Sequence, residues 1–293
     1  MSHVDHNRVR EMAAQHYTDA EIAVAVGCHP GYARLIRSGR VKRRAEGGSA
    51  LSREEPKILS GRSARGMPPF DHPALMSGHT IYPTTVKAVG SDSVFKSGFN
   101  SAKIGTKIQK GRWKNFAVYT LTLEERATCP TSCKHWRSCF GGGMQRAIRY
   151  RHGAELERRV ETEVAELSHK HPRGFAVRLH VLGDFYSVAY VEMWARLLKK
   201  HPQLHAFGFS ARWEYTRDPI ARALINLVEK RWMRFAIRFS NAPIPAMATR
   251  SVEHPYQIEK GVIWCPQQSG KTASCSTCAL CWQSKKNVAF VQH

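Results

Sequence analysis

Between residues 116 and 241 the chain alternates short runs of β-branched and aromatic residues with longer amphipathic runs, and this rhythm constrains the fold more than any other feature. "FAVYTLTL" (116–123), "FAVRLHVLGDF" (175–185), "HAFGFSAR" (205–212) and "RFAIRFSN" (234–241) read as strands. "MQRAIRYRHGAELERRVETEVAELSHKH", "VAYVEMWARLLKKH" and "PIARALINLVEKRW", which fall between them, read as helices. Strand, helix and strand in succession give crossover units whose strands lie parallel. With "GVIW" and "VAFVQ" as later strands, the pattern predicts an α/β barrel or partial barrel of βα units.

In that architecture the chemistry gathers at the C-terminal ends of the strands. Polar residues fall there repeatedly: Arg178, His180 and Asp184 on the second strand, Ser210 and Arg212 on the third, Arg238, Ser240 and Asn241 on the fourth. Of these, Arg178, His180, Asp184, Arg212 and Arg238 are the candidate catalytic residues.

Two groups of cysteines add a second constraint. "CPTSCKHWRSC" places Cys129, Cys133 and Cys139 in the loop that leaves the first strand, with His135 as an additional nitrogen donor. "CPQQSGKTASCSTCALC" brings Cys265, Cys275, Cys278 and Cys281 together at a C-x9-C-x2-C-x2-C spacing. Three thiolates leave one iron of a 4Fe-4S cubane open to a substrate, whereas four close a cluster or a tetrahedral zinc site. The expectation is therefore one or two 4Fe-4S clusters, with zinc as the alternative at the second set. Nothing in the sequence reads as a signal peptide or a bilayer span, so the chain is expected in the cytoplasm, where thiols stay reduced.

Charge points to a partner. Lys and Arg number 45 against 23 Asp and Glu, a formal net charge of +22, which favours polyanions and makes nucleic acid the expected partner class. The N-terminal stretch "TDAEIAVAVGCHPGYARLIRSGR" reads as two short helices crossing at Gly27, in the manner of DNA-binding helix-turn-helix modules. Tyr32, Arg34 and Arg37 on the second helix, followed by Arg40, Lys42 and Arg43, are the candidate nucleic-acid contacts, and Cys28 reads as a small buried apolar residue. The expected organisation is a helix-turn-helix-like module at 1–45, a Gly, Ser, Arg and Pro-rich linker at 46–80, and a cysteine-rich α/β domain at 81–293.

The runs "TLTLEERATCPTSCKHWRSCF", "VRLHVLGDFYSVAYVEMW" and "CPQQSGKTASCSTCALCW" together resemble the phage and bacterial gene product 88 family, over about residues 95–290. That resemblance implies kinship without implying a reaction. More loosely, a strand running into a three-cysteine loop and a second strand ending in "LGDF" is similar to radical S-adenosylmethionine enzymes. The similarity implies that Gly183 and Asp184 bind the methionine amino group of S-adenosylmethionine. The chain departs from that pattern by three extra residues between Cys133 and Cys139. The resulting expectation is an iron-sulfur protein of radical S-adenosylmethionine type acting on nucleic acid, with a metal-stabilised, non-enzymatic DNA-binding regulator as the alternative.

Overall fold

A computed structural model describes residues 5–38 and 67–291. Near the N-terminus, α1 (His6–Ala14), α2 (Asp19–Val26) and α3 (Pro30–Arg37) pack around Val9, Met12, Ile22, Ala23, Ala33 and Ile36. Their ends are written in the sequence. The Thr18 hydroxyl accepts from the Glu21 N–H at 3.3 Å while Glu21 Oε2 accepts from the Thr18 N–H at 2.8 Å, a reciprocal cap for α2. Gly27, in the left-handed region at φ 67°, ends that helix.

The larger body begins with α4 (Pro73–Met76) and a small parallel pair, β1 (Val86–Lys87) with β4 (Arg149–Tyr150). The main sheet is built from β2 (Lys96–Ser97), β3 (Ala117–Thr120), β5 (Phe175–Leu179), β6 (Leu204–Ser210), β7 (Phe235–Ser240), β8 (Ala248–Val252), β9 (Ile263–Trp264) and β10 (Val288–Val291). Across the sheet the order is β2-β3-β5-β6-β7-β8-β10-β9, parallel throughout except for β2, which runs antiparallel to β3. The long helices are α5 (Ala154–Lys170), α6 (Val188–Lys200) and α7 (Pro219–Arg231). Between Cys265 and β10 lie the single turns α8 (Cys275–Cys278) and α9 (Leu280–Gln283).

Strand alternation gives the sheet two different faces. Phe175, Val177, Leu179, Ala206, Phe235, Ile237 and Phe239 form one, with the apolar stripe Tyr190, Trp194, Leu197 and Leu198 of α6 and Leu224 and Val228 of α7 in the same core. Arg178, His205, Phe207, Phe209 and Arg238 lie on the other. There Trp282 packs on Phe207 with ring centroids 4.5 Å apart and stacks on Trp113 at 5.6 Å.

Three expectations change. The α/β class and parallel strands hold, but the sheet does not close into a full barrel: β2 and β9 end it and do not pair with each other. Helical crossovers stop after β7, and the Trp113–Trp282 stack occupies the face that closure would turn inward. The long helix expected from residue 144 starts only at Ala154, because Arg149 and Tyr150 pair with β1 and Gly153 adopts φ 128°. Part of the expected linker is packed structure: Arg137 Nε donates to the Pro68 carbonyl at 2.8 Å and Trp136 Nε1 to the Leu75 carbonyl at 3.2 Å. Among the described residues no helix is long and apolar enough to cross a membrane.

Candidate functional site

Strands β3, β5, β6 and β7 are parallel, so the loops that follow them emerge at one edge of the sheet. Asp184 ties three of these loops together. Its buried carboxylate accepts from the Phe185 N–H, the Ser210 hydroxyl and the Ala211 N–H, each at 2.7 Å. Its own N–H donates to Thr128 Oγ1 at 3.0 Å, one residue before Cys129. Burial pushes the Asp184 carboxyl up to about 6, against the opposing pull of Ser210, Ala211 and Arg212. Gly183 allows the close approach: at φ 83°, a Cβ there would stand 2.6 Å from Thr128 Oγ1 and 2.7 Å from Leu123 Cβ. Arg212 bridges the same loops, with Nη1 donating to Asp218 at 2.7 Å, Nη2 to the Thr128 carbonyl at 3.3 Å, and Nε to the Phe185 carbonyl.

Cys129, Cys133 and Cys139 come together on this edge. Burial raises all three thiols, Cys139 to about 11, and the charges of Asp184 on Cys129 and Cys133 and of Glu125 on Cys139 add to it. A hidden scaffold holds their loop. Arg149, fully buried, pairs with Glu125 through Nε at 2.6 Å and Nη2 at 3.1 Å, and also donates to the Ala147 carbonyl at 2.8 Å and the Gly141 carbonyl at 3.1 Å. Glu125 in turn accepts from the Thr80 hydroxyl at 2.7 Å. Cys129 and Arg212 border an open cleft of about 460 Å3 with Trp213, Glu214, Arg217 and Asp218. His135 is committed elsewhere: its two ring nitrogens are hydrogen-bonded to Ser138 at 3.2 Å and Ser251 at 2.9 Å, beside a second cleft.

The second cysteine set belongs to the sheet face opposite the helices. Cys275 is held by its N–H donating to the Lys103 carbonyl at 2.7 Å, and Cys265 by its N–H donating to the Ala289 carbonyl at 2.9 Å. Arg238, fully buried, donates to the carbonyls of Cys281 at 3.0 Å, Lys286 at 2.9 Å and Ser284. It is a clamp on the cysteine segment. Arg178 lies over the Phe209 ring at 4.6 Å, and burial lowers it to about 10 while the nearby Cys275 and Cys281 act in the opposite sense. Burial raises Cys275 to about 11 and Cys281 to about 12, eased in part by Lys103 and Arg178 for the former and Arg238 for the latter. Among the described residues, no three or more His, Cys, Asp or Glu side chains are drawn tightly enough around one point to hold a single metal ion.

His180 is far from open chemistry. It is buried, hydrogen-bonded through Nε2 to the Tyr190 hydroxyl at 3.0 Å, and burial followed by the Arg178 charge lowers it to about 3, leaving it neutral. In the N-terminal module Arg34 is exposed, Tyr32 is half-buried and 3.3 Å from His6 Nε2, and Arg37 is paired with Asp19 at 3.0 Å. Burial raises the Cys28 thiol, which packs against the module core. Arg40, Lys42 and Arg43 lie outside the described residues. Sequence reading passed over Glu125, Arg126 and Arg149. "EER" directly before the cysteine loop was the available signal for the first two, and nothing marked Arg149.

The gene product 88 family pattern matches residues 95–241, taking in the first cysteine set, Asp184, Arg212 and Arg238 and ending before the second set. An alignment of 139 positions, covering 39% of this chain and 53% of that protein, is 26% identical to the Gene 88 protein of Mycobacterium phage L5. The chain thus spans about half the length of that relative. No solved structure matches the chain. The pattern covers half of the sequence and runs through β2 to β7, the strands that carry the thiol edge, and on that ground the chain belongs to the gene product 88 family.

Proposed function

We propose that this is an iron-sulfur protein acting on nucleic acid, with the first thiol set as the reactive centre and the second as a closed structural one. One observation carries the reading: three half-buried thiols gather at the edge where parallel strands end, and Cys129 borders an open cleft with Arg212 and Arg217. Three thiolates leave one iron of a cubane open, whereas the four of the second set suit either a closed cluster or a tetrahedral zinc. Cys129, Cys133 and Cys139 would hold the first cluster, and Cys265, Cys275, Cys278 and Cys281 the second. When bound, a three-thiolate cluster supplies an open iron and an electron. Asp184, with three donors on its carboxylate, and Gly183, packed on Thr128, position the cysteine loop rather than receive an amino group.

The N-terminal helices serve as a helix-turn-helix in this reading, delivering the larger body to nucleic acid. Exposed Arg34 on α3 and a net charge of +22 support it. Iron, sulfide and zinc content of the anaerobically purified chain tests the metal reading: two equivalents of zinc without sulfide overturn it. Reductive cleavage of S-adenosylmethionine distinguishes an enzyme of that type from a metal-stabilised regulator. Deleting residues 1–45 tests delivery, through weaker duplex binding and a flatter salt dependence.

A further inference from the structure

Arg126 stands at a left-handed φ of 66° three residues before Cys129 and is buried, 3% exposed. Its Nε donates to the Trp136 carbonyl at 2.9 Å and its Nη1 to the His79 carbonyl at 3.2 Å. These two bonds fix the guanidinium plane and leave Nη2 buried without any partner. Its carbonyl accepts from the Cys129 N–H at 3.1 Å, and Trp136 lies between Cys133 and Cys139 in the chain, so Arg126 is held within the cysteine loop. The surrounding carboxylates are otherwise engaged: Glu125 with Arg149, Glu124 with His79 and the Thr80 N–H, Asp218 with Arg212, and Asp184 with Ser210 and two backbone N–H groups. Among the described residues, Arg126 has no ion-pair partner. A buried guanidinium lacking both a counter-charge and one acceptor is costly, since several kcal/mol are at stake for an uncompensated charge.

We infer that Arg126 is the positioning cation of the first thiol centre, its free Nη2 donating to a sulfur of an anionic, thiolate-ligated cluster. The inference rests on the iron-sulfur reading above and adds a charge requirement to it. Three thiolates outweigh the two positive charges of an oxidised cubane core, leaving the site negative overall. A fixed cation beside it offsets that charge, and offsets it more strongly once an electron is added. Hydrogen bonds to cluster sulfurs and nearby charge are recognised determinants of reduction potential. The two carbonyl bonds of Arg126 aim the fork, as such outer groups do at other metal sites.

The test is anaerobic reconstitution of the full chain and of Arg126→Met and Arg126→Lys, followed by iron content, redox titration and electron paramagnetic resonance of the reduced protein. Arg126→Met is expected to shift the first centre to a more negative potential. At a fixed potential the reduced-to-oxidised ratio should fall about tenfold, equivalent to ~59 mV for one electron. Arg126→Lys, which restores charge without the fork, should recover part of the shift, and the second centre should not move. If Arg126→Met loses the first centre, recovery of its iron in Arg126→Lys supports the inference, whereas loss in both variants overturns it in favour of a packing role. An unchanged potential in an iron-loaded Arg126→Met overturns the inference alone. Absence of iron and sulfide from the first set in the unaltered chain overturns it together with the iron-sulfur reading.

Discussion

The two cysteine regions are held by opposite means. The first is a loop at the sheet edge, pinned by buried polar contacts: Glu125 with Arg149, Asp184 with Ser210 and Ala211, and Arg212 across to Thr128. The second is laid against a sheet face, where Trp282 packs against both Trp113 and Phe207 and Arg238 grips three carbonyls. Polar pinning specifies where a loop goes and leaves one side of it open to a cleft. Aromatic packing lays Cys275 and Cys281, both half-buried, against the core. Cys129 of the first set borders the open cleft, whereas Cys265 of the second is buried.

The comparison breaks or sharpens under substitution, and the largest effect belongs to the second region. Trp282→Ala removes a fully buried indole from a stack and should cost about 3–5 kcal/mol, lowering the melting temperature of the larger body and, under the proposed function, releasing the metal assigned to the second set. If the body melts normally while the second set empties, the segment is an appendage and the contrast fails. Arg149→Met comes next. It leaves Glu125 buried without its partner and should cost about 3 kcal/mol. The measurable signature is faster amide exchange or proteolysis within 125–149, with exchange around the second cysteine set unchanged. If both sets hold the proposed clusters, Cys129→Ala, Cys133→Ala and Cys139→Ala should each empty the first set yet change the melting temperature far less than Cys278→Ala, because structural metal sites contribute folding energy. Equal losses of stability in both sets would erase the distinction. The smallest effect is Thr18→Ala, about 1 kcal/mol and confined to the N-terminal module, read by helical content of that segment.

Much of this was legible in the sequence because it is local. β5, β6 and β7 and the helices α6 and α7 fall within a few residues of their expected positions, since the periodicity that marks them is the one that packs them. Cys28, expected to be buried, is half-buried against the small helical core. What escaped was long-range. "AIRYR" is a passable helix segment, and only the pairing of Arg149 and Tyr150 with Val86 and Lys87, more than sixty residues away, makes it extended. Strand β8, "ATRSV", carries little apolar signal because it is sheltered by β7 and β10 on either side. His180, Asp184 and Arg238 sit where strand-end chemistry is expected, yet their partners are core groups that no local pattern names. A polar residue at a strand end carries the same sequence signal whether it reacts or only holds loops in place.

The outermost strands carry a consequence for how this chain behaves in a crowded solution. Lys96–Ser97 and Ile263–Trp264 are each only two residues long, one with a lysine and running against the direction of the rest. A wide parallel sheet normally exposes rows of unpaired backbone groups on which a neighbouring molecule can add strands. Borders this short offer a neighbour almost no ladder to extend, so the sheet can reach eight strands without seeding its own aggregation.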